Sequence, residues 1–212
     1  MRPQAARRRP TIEVAERRPA ARPAPGRVAL ACLLLSAGAT ATPRAQGAPP
    51  PSFGHEVEAS FVYTVAKFVD WPADAFVDPG APFVFVVLGD DPFEDSLART
   101  VAGKSVGGHP VEVVGVKEAK DLVACHVLFV GRSEASRADE VIERLRGASV
   151  LTVSDFERFA QSGGVLRLAL DENMVRFEIN VDAAERAHLQ ISSKILKLGV
   201  VVRDRKHAPG AP

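Results

Sequence analysis

Cysteine is scarce in this chain, with two in 212 residues, and that scarcity excludes a small scaffold stapled by disulfides. Cys32 lies in an apolar run near the N-terminus. Cys125 opens a second run, CHVLFV, where a small buried hydrophobe suits the position better than a reactive thiol. Tryptophan occurs once, at Trp71. No apolar run reaches the roughly 20 residues that a membrane-spanning helix needs, so stable membrane insertion is not expected. A basic stripe interleaved with aromatics is also missing, which argues against nucleic acid or anionic lipid as the main partner.

Catalytic patterns are missing too. There is no G-x-S-x-G nucleophile elbow. The AGKS at residues 102–105 resembles the end of a phosphate-binding loop, but Ala98 stands where its first glycine belongs, and the local order is helix to strand. His55 and Glu56 lack the second histidine that a zinc helix carries four residues on. His109, His126, His188 and His207 are scattered singly. Asp90 and Asp91 follow a strand as a receiver's acidic pair would, yet the strand CHVLFVGRS ends without a phosphate-accepting aspartate. No catalytic residue, metal site or cofactor is expected.

What is present begins with an export signal. RVALACLLLSAGATA, residues 27–41, has a positive flank, a short apolar run and small residues at Ala39 and Ala41. That is the layout of a secretory signal peptide, with A-T-A as the cleavage site. Residues 1–26 are rich in Arg, Pro and Ala, either a long leading region or the product of a start codon placed too early. The expected layout is a signal peptide with its extension at 1–41, a Pro- and Ala-rich disordered tether at 42–54, one domain at 55–204 and a disordered tail at 205–212. The expected location is the periplasm. Eight arginines and two glutamates lie in residues 1–41, so their removal takes the formal charge from +1 to −5.

The domain opens with EVEASFVYTVAKFVDWP. Val57, Phe61, Val65 and Phe68 recur at helical steps, with Glu56, Glu58 and Lys67 on other faces. Pro72 ends that helix and holds Trp71 extended, as a core plug. FVFVVL at residues 83–88, HVLFV at 126–130 and SVLTV at 149–153 are nearly all apolar, as strands buried on both faces should be. Helical stretches lie between them, which implies parallel crossovers. VLRLAL and VRFEIN alternate around the polar turn DENM and predict an antiparallel hairpin at the sheet edge. The last part, VDAAERAHLQISSKILKLGVVV, reads as two helices meeting at Gln190 and Ile191, with Ser192 or Ser193 capping the second. The expected fold is therefore a single α/β domain. Its mixed, mostly parallel sheet is flanked by helices and followed by a C-terminal antiparallel hairpin and two C-terminal helices.

In open α/β sheets, ligands gather beyond the carboxyl ends of the parallel strands. Asp90, Asp91, Arg132, Ser133, Ser154 and Asp155 follow three of these strands and are the candidate ligand-binding residues. Arg132 and Ser133 also stand where a helix is predicted to start, an arrangement that favours an anion. Ordinary turn and cap chemistry explains the same residues.

Seven features in order carry a family resemblance: an export signal, a helix ending AKFVDWP, then FVFVVLGDDPF, GK-x-V-GG-x-PVEV, CHVLFVGRS, LTVSDFERFAQSGG and RFEINVDAAERAHLQISSKIL. From Glu56 to Arg203 the chain resembles periplasmic proteins of the YfiR/HmsC type. The resemblance implies a noncatalytic α/β domain, often a homodimer, that inhibits a membrane-bound diguanylate cyclase of the YfiN kind through its periplasmic domain. The implied output is lower cyclic di-GMP and less biofilm. Domains of this type also occur fused to sensor kinases, so a sensor kinase is a second partner class, and a small-molecule or anion sensor is the alternative role. Several relatives carry regulatory disulfides, and Cys125 has no partner for one in the exported chain. Tyr63, Lys67, Trp71, Arg176, Glu178, Asn180 and Ser193 lie in the most family-like blocks and form the candidate partner interface. Internal hydrogen bonding is the competing account, with Arg176 and Glu178 on one face of an edge strand.

Overall fold

A computed structural model describes residues 51–171 and 174–204, all of which fall in one unit, Gln46–Pro212. The expected signal peptide, most of the expected tether, the expected tail and two residues of the DENM turn lie outside the described residues.

The first helix, α1 (Pro51–Lys67), begins four residues before the expected domain boundary at His55. A proline in the first turn costs no helical hydrogen bond, so Pro51 can open it. The buried stripe of α1 is Ala59, Val62, Val65 and Ala66, with Glu58 beside it. This corrects the predicted face. Phe61 is only half-buried, and Phe68, just past the last helical residue Lys67, is exposed. After α1 comes a two-residue strand, β1 (Val69–Asp70), which pairs antiparallel with β9 (Gln190–Ile191). The Trp71 indole N–H donates to the Ala66 carbonyl at 3.0 Å, and its ring meets Phe83 edge-on at 5.1 Å. Trp71 is thus the plug that its place before Pro72 predicted.

The main sheet is built from β2 (Phe83–Leu88), β3 (Ser105–Val106), β4 (His109–Val116), β5 (Val127–Val130), β6 (Leu151–Ser154), β7 (Leu166–Asp171), β8 (Met174–Asn180) and β10 (Val200–Val202). Their order across the sheet is β10-β8-β7-β6-β5-β2-β4-β3. Strands β4, β2, β5, β6 and β7 run parallel, β8 turns antiparallel against β7, and β3 turns antiparallel against β4. The sheet is mixed and mostly parallel, as expected.

Helices α1 and α2 (Phe93–Val101) cover one face, over Phe83, Phe85, Val87, Phe129 and Leu151. Phe93 stacks on Phe129 with ring centroids 3.9 Å apart. The other face carries Val86, Leu88, Leu128 and Val130 under α3 (Ala138–Arg144). Strand β2 alternates between the two clusters, which is why every one of its residues is apolar.

The C-terminal part departs from the reading of two helices in sequence. Helices α4 (Val181–Arg186) and α5 (Ser193–Leu196) exist but hold six and four residues. Strand β9 stands between them, and Val200–Val202 joins the sheet as β10, parallel to β8. Three consecutive β-branched residues favour a strand over a helix end. Ser192 caps α5 by accepting from the Lys194 N–H. As β10 lies outside it, β8 is not the edge strand that its alternation suggested.

Candidate functional site

Three strand ends meet beside α1, and two glycines let them meet. Gly89 follows β2 with φ +101°, and a Cβ there would collide with the Ser133 hydroxyl. Gly131 follows β5, donates its N–H to the Leu88 carbonyl at 2.9 Å, and leaves room for the Asp91 side chain. Asp91 accepts the Phe93 N–H at 2.9 Å and so opens α2. Ser154 is fully buried and donates to the Val130 carbonyl at 2.6 Å. Arg132 Nε donates to Asp155 Oδ2 at 2.7 Å. Asp90 and Ser133 are exposed.

Into this cluster comes Glu58, which the sequence reading assigned to a polar face. It is 5% exposed. Burial pushes its carboxyl up to about 7, the charge of Asp155 adds to the rise, Arg132 offsets part of it, and Asp91 adds a little more. The signal was available in the spacing, since Glu58 lies four residues before Val62 and seven before Val65 on the stripe that packs inward. A second buried acid, Glu134, pairs with Arg137 at 2.8 Å through one oxygen. The other oxygen of Glu134 and Asp155 Oδ1 are buried with no hydrogen-bond partner among the described residues.

The strand ends thus carry more acid than the anion reading expects. Arg132–Arg137 forms a 3-10 turn, and α3 starts only at Ala138, so no α-helix starts at Arg132 and Ser133. The Arg132 guanidinium already faces Asp155, and Glu58, Asp91 and Glu134 surround the same loops with acid. None of the six expected ligand residues lines either of two cavities, of about 620 and 370 Å³. What the cluster can do chemically is hold or release a proton near neutrality. Among the described residues, no group of three acids, histidines or cysteines is placed to hold a metal ion.

The expected partner residues divide between core and surface. Asn180 is fully buried, its amide donating to the Ala160 carbonyl at 2.6 Å and to Asp204 at 2.7 Å, while its oxygen caps α4 at the Ala183 N–H. Trp71 is the plug described above. Glu178 is half-buried against Arg167 at 3.3 Å and accepts from Gln161 at 2.8 Å. These three make internal bonds, as the competing account expects, while Trp71 and Glu178 stay partly exposed. Arg176 is exposed and pairs with Asp171 at 2.9 Å near the hairpin turn. Tyr63 donates to the Ser105 carbonyl at 3.0 Å, and the Lys67 and Lys104 ammonium groups lie 5.5 and 4.9 Å from its ring centroid. Ser193 is exposed beside Lys194, whose ammonium lies 6.0 Å from the Phe68 ring centroid.

A family model described as YfiR/HmsC-like matches residues 55–200. The chain belongs to the YfiR/HmsC-like family. The match covers Trp71, strands β2 to β9 and the hairpin. No curated protein matches the chain significantly. Among solved structures, a conserved domain protein from Vibrio cholerae is similar at 12% identity and TM-score 0.49, over 69% of this chain and 59% of that one. An ABC domain in complex with L-Trp from Streptococcus pneumonia is similar at 12% identity and TM-score 0.41, over 56% of this chain and 55% of that one. This YfiR/HmsC-like chain thus spans less than two thirds of either. Its Cys125 is a free thiol that burial pushes up to about 12, so it holds its proton and stays a poor nucleophile.

Proposed function

We propose that this protein is a noncatalytic periplasmic regulator that inhibits a membrane-bound diguanylate cyclase, lowering cyclic di-GMP and biofilm formation. The observation that carries the reading is the YfiR/HmsC-like match over residues 55–200. A regulator that acts by contact needs a surface, and the neighbourhood of Phe68 supplies one. Phe68 is 36% exposed at the end of α1, with Lys67 beside it and Lys194 near its ring. An aromatic anchor with a cationic rim suits an acidic, partly apolar patch on a partner's periplasmic domain. A sensor kinase is the other partner class, and a second copy of the chain can use the same kind of contact.

The test is genetic, with one surface variant. Deleting the gene should raise cyclic di-GMP and surface attachment, and export-competent protein should reverse both, whereas protein lacking residues 1–41 should not. The double variant Lys67→Glu, Lys194→Glu should keep the melting temperature and lose inhibition. Unchanged cyclic di-GMP in the deletion strain, with membrane-bound diguanylate cyclases expressed, rejects the inhibitor reading. A second reading has a small ligand governing this contact, and the 620 Å³ cavity supports it.

A further inference from the structure

We infer that the cavity between α3 and α4 is a binding site for a small apolar molecule that carries an amine. The inference rests on the second reading above. The cavity exists because the roof on this face of the sheet is incomplete. Helix α3 has seven residues. Beyond it, the loop before β7 lies over the last strands, tied down by Arg167 to the Phe156 carbonyl and Asn180 to the Ala160 carbonyl. The space left between loop, α3 and α4 is about 620 Å³, within the roughly 300–1,000 Å³ of small-molecule sites.

Its walls define the ligand. Ile142 and Leu145 from the α3 side, Val150 and Val165 from the sheet, and Ala187 after α4 give room for an apolar body. The polar lining has acceptors to spare. Both guanidinium groups are engaged, Arg186 by two nitrogens on Asp204 and Arg146 on Glu143 at 3.5 Å. Asp139 lines the cavity and makes no ion pair among the described residues. Gln161 donates to Glu178, and its own carbonyl oxygen is buried without a donor. A carboxylate and an amide oxygen left over, with no guanidinium to match, call for a ligand that donates. An ammonium group, with three N–H donors and a positive charge, meets that need, and a carboxylate ligand would be repelled.

The test uses hexylamine, hexanoate and hexanol as probes, read by amide chemical shifts of Gly147, Gly163 and Ala187 in the purified protein. Hexylamine should shift these amides saturably, with hexanoate weaker by about tenfold or more. Asp139→Asn, at an exposed helix start, should weaken hexylamine several-fold and leave hexanol unchanged, while Ala187→Phe should remove binding of both. The inference is overturned if hexylamine gives no saturable shifts, if hexanoate binds as well, or if Asp139→Asn binds hexylamine undiminished. Ligand control of the partner contact is measured separately, as a change in inhibition when a ligand is added, and stands or falls on that result.

Discussion

A carboxyl group packed between α1 and the strand ends, as Glu58 is, keeps its proton because ionisation would put a third negative charge beside Asp155 and Asp91 in a site water barely reaches. The linkage follows from the direction of the shift. With a folded pKa of about 7 against 4.5 unfolded, Glu58 contributes full stability below 4.5 and loses it as pH rises through 7. His126 works on the acid side. Its ring accepts the Val84 N–H at Nδ1, so Nε2 carries the proton and donates to the Ala75 carbonyl at 3.0 Å. Burial lowers its pKa below 6.5, so its contribution is present above that value and is lost as pH falls. Stability should therefore crest in the weakly acidic range. Glu58→Gln should gain roughly 3 kcal/mol at pH 8, the free energy of the shift, and almost nothing at pH 4. Urea unfolding at the two pH values checks this, and an equal effect at both would show that the Glu58 charge is not what matters.

Helix α4 has only six residues and cannot stand on propensity, so its N-cap carries unusual weight. Asn180 caps it and also fastens the loop at Ala160 and the chain end at Asp204. Asn180→Ala should cost about 2–4 kcal/mol, a lost cap plus buried acceptors left unpaired. A denaturation midpoint within error of the parent would refute that role. The same residue shows where sequence reading stops. FVFVVL and VLFV are legible as buried strands because each position is apolar, whereas Pro72 sets the helix end too late: α1 stops at Lys67 and Val69–Asp70 is a strand, because its partner β9 comes from far along the chain. Asn180 looked like a surface polar group because only the fold brings Ala160 and Asp204 to it. Glu58 reads as a solvated residue because it is charged, although it sits on the inward stripe. The GVVV segment reads as a helix end because nothing local to it reveals that β8 lies alongside to receive it. The loops after β2, β5 and β6 were placed together correctly, but their charges were not, since an arginine reads as an anion site until its carboxylate partner is seen.

The topology explains why the protein offers one closed side and one open side. The α1 and α2 side is sealed by phenylalanines, whereas the α3 side is covered by a seven-residue helix and a loop, and that unevenness leaves the larger cavity. No covalent link holds these layers together, because Cys125 is the one cysteine among the described residues and stands apart as a free thiol. The layers are held by burial and hydrogen bonding alone. The melting temperature of protein lacking residues 1–41 should therefore be the same with and without reductant, and its mobility on a gel the same in both conditions. The same measurement on the exported protein also reports on processing. If residues 1–41 are retained, Cys32 is the one other cysteine that could bridge to Cys125 within the chain, and reductant would then remove that bridge. A fall in melting temperature under reductant, with a monomer on the nonreducing gel, would thus show that the leader is still attached. The same fall with a reducible dimer would instead place Cys125 at a contact between two copies.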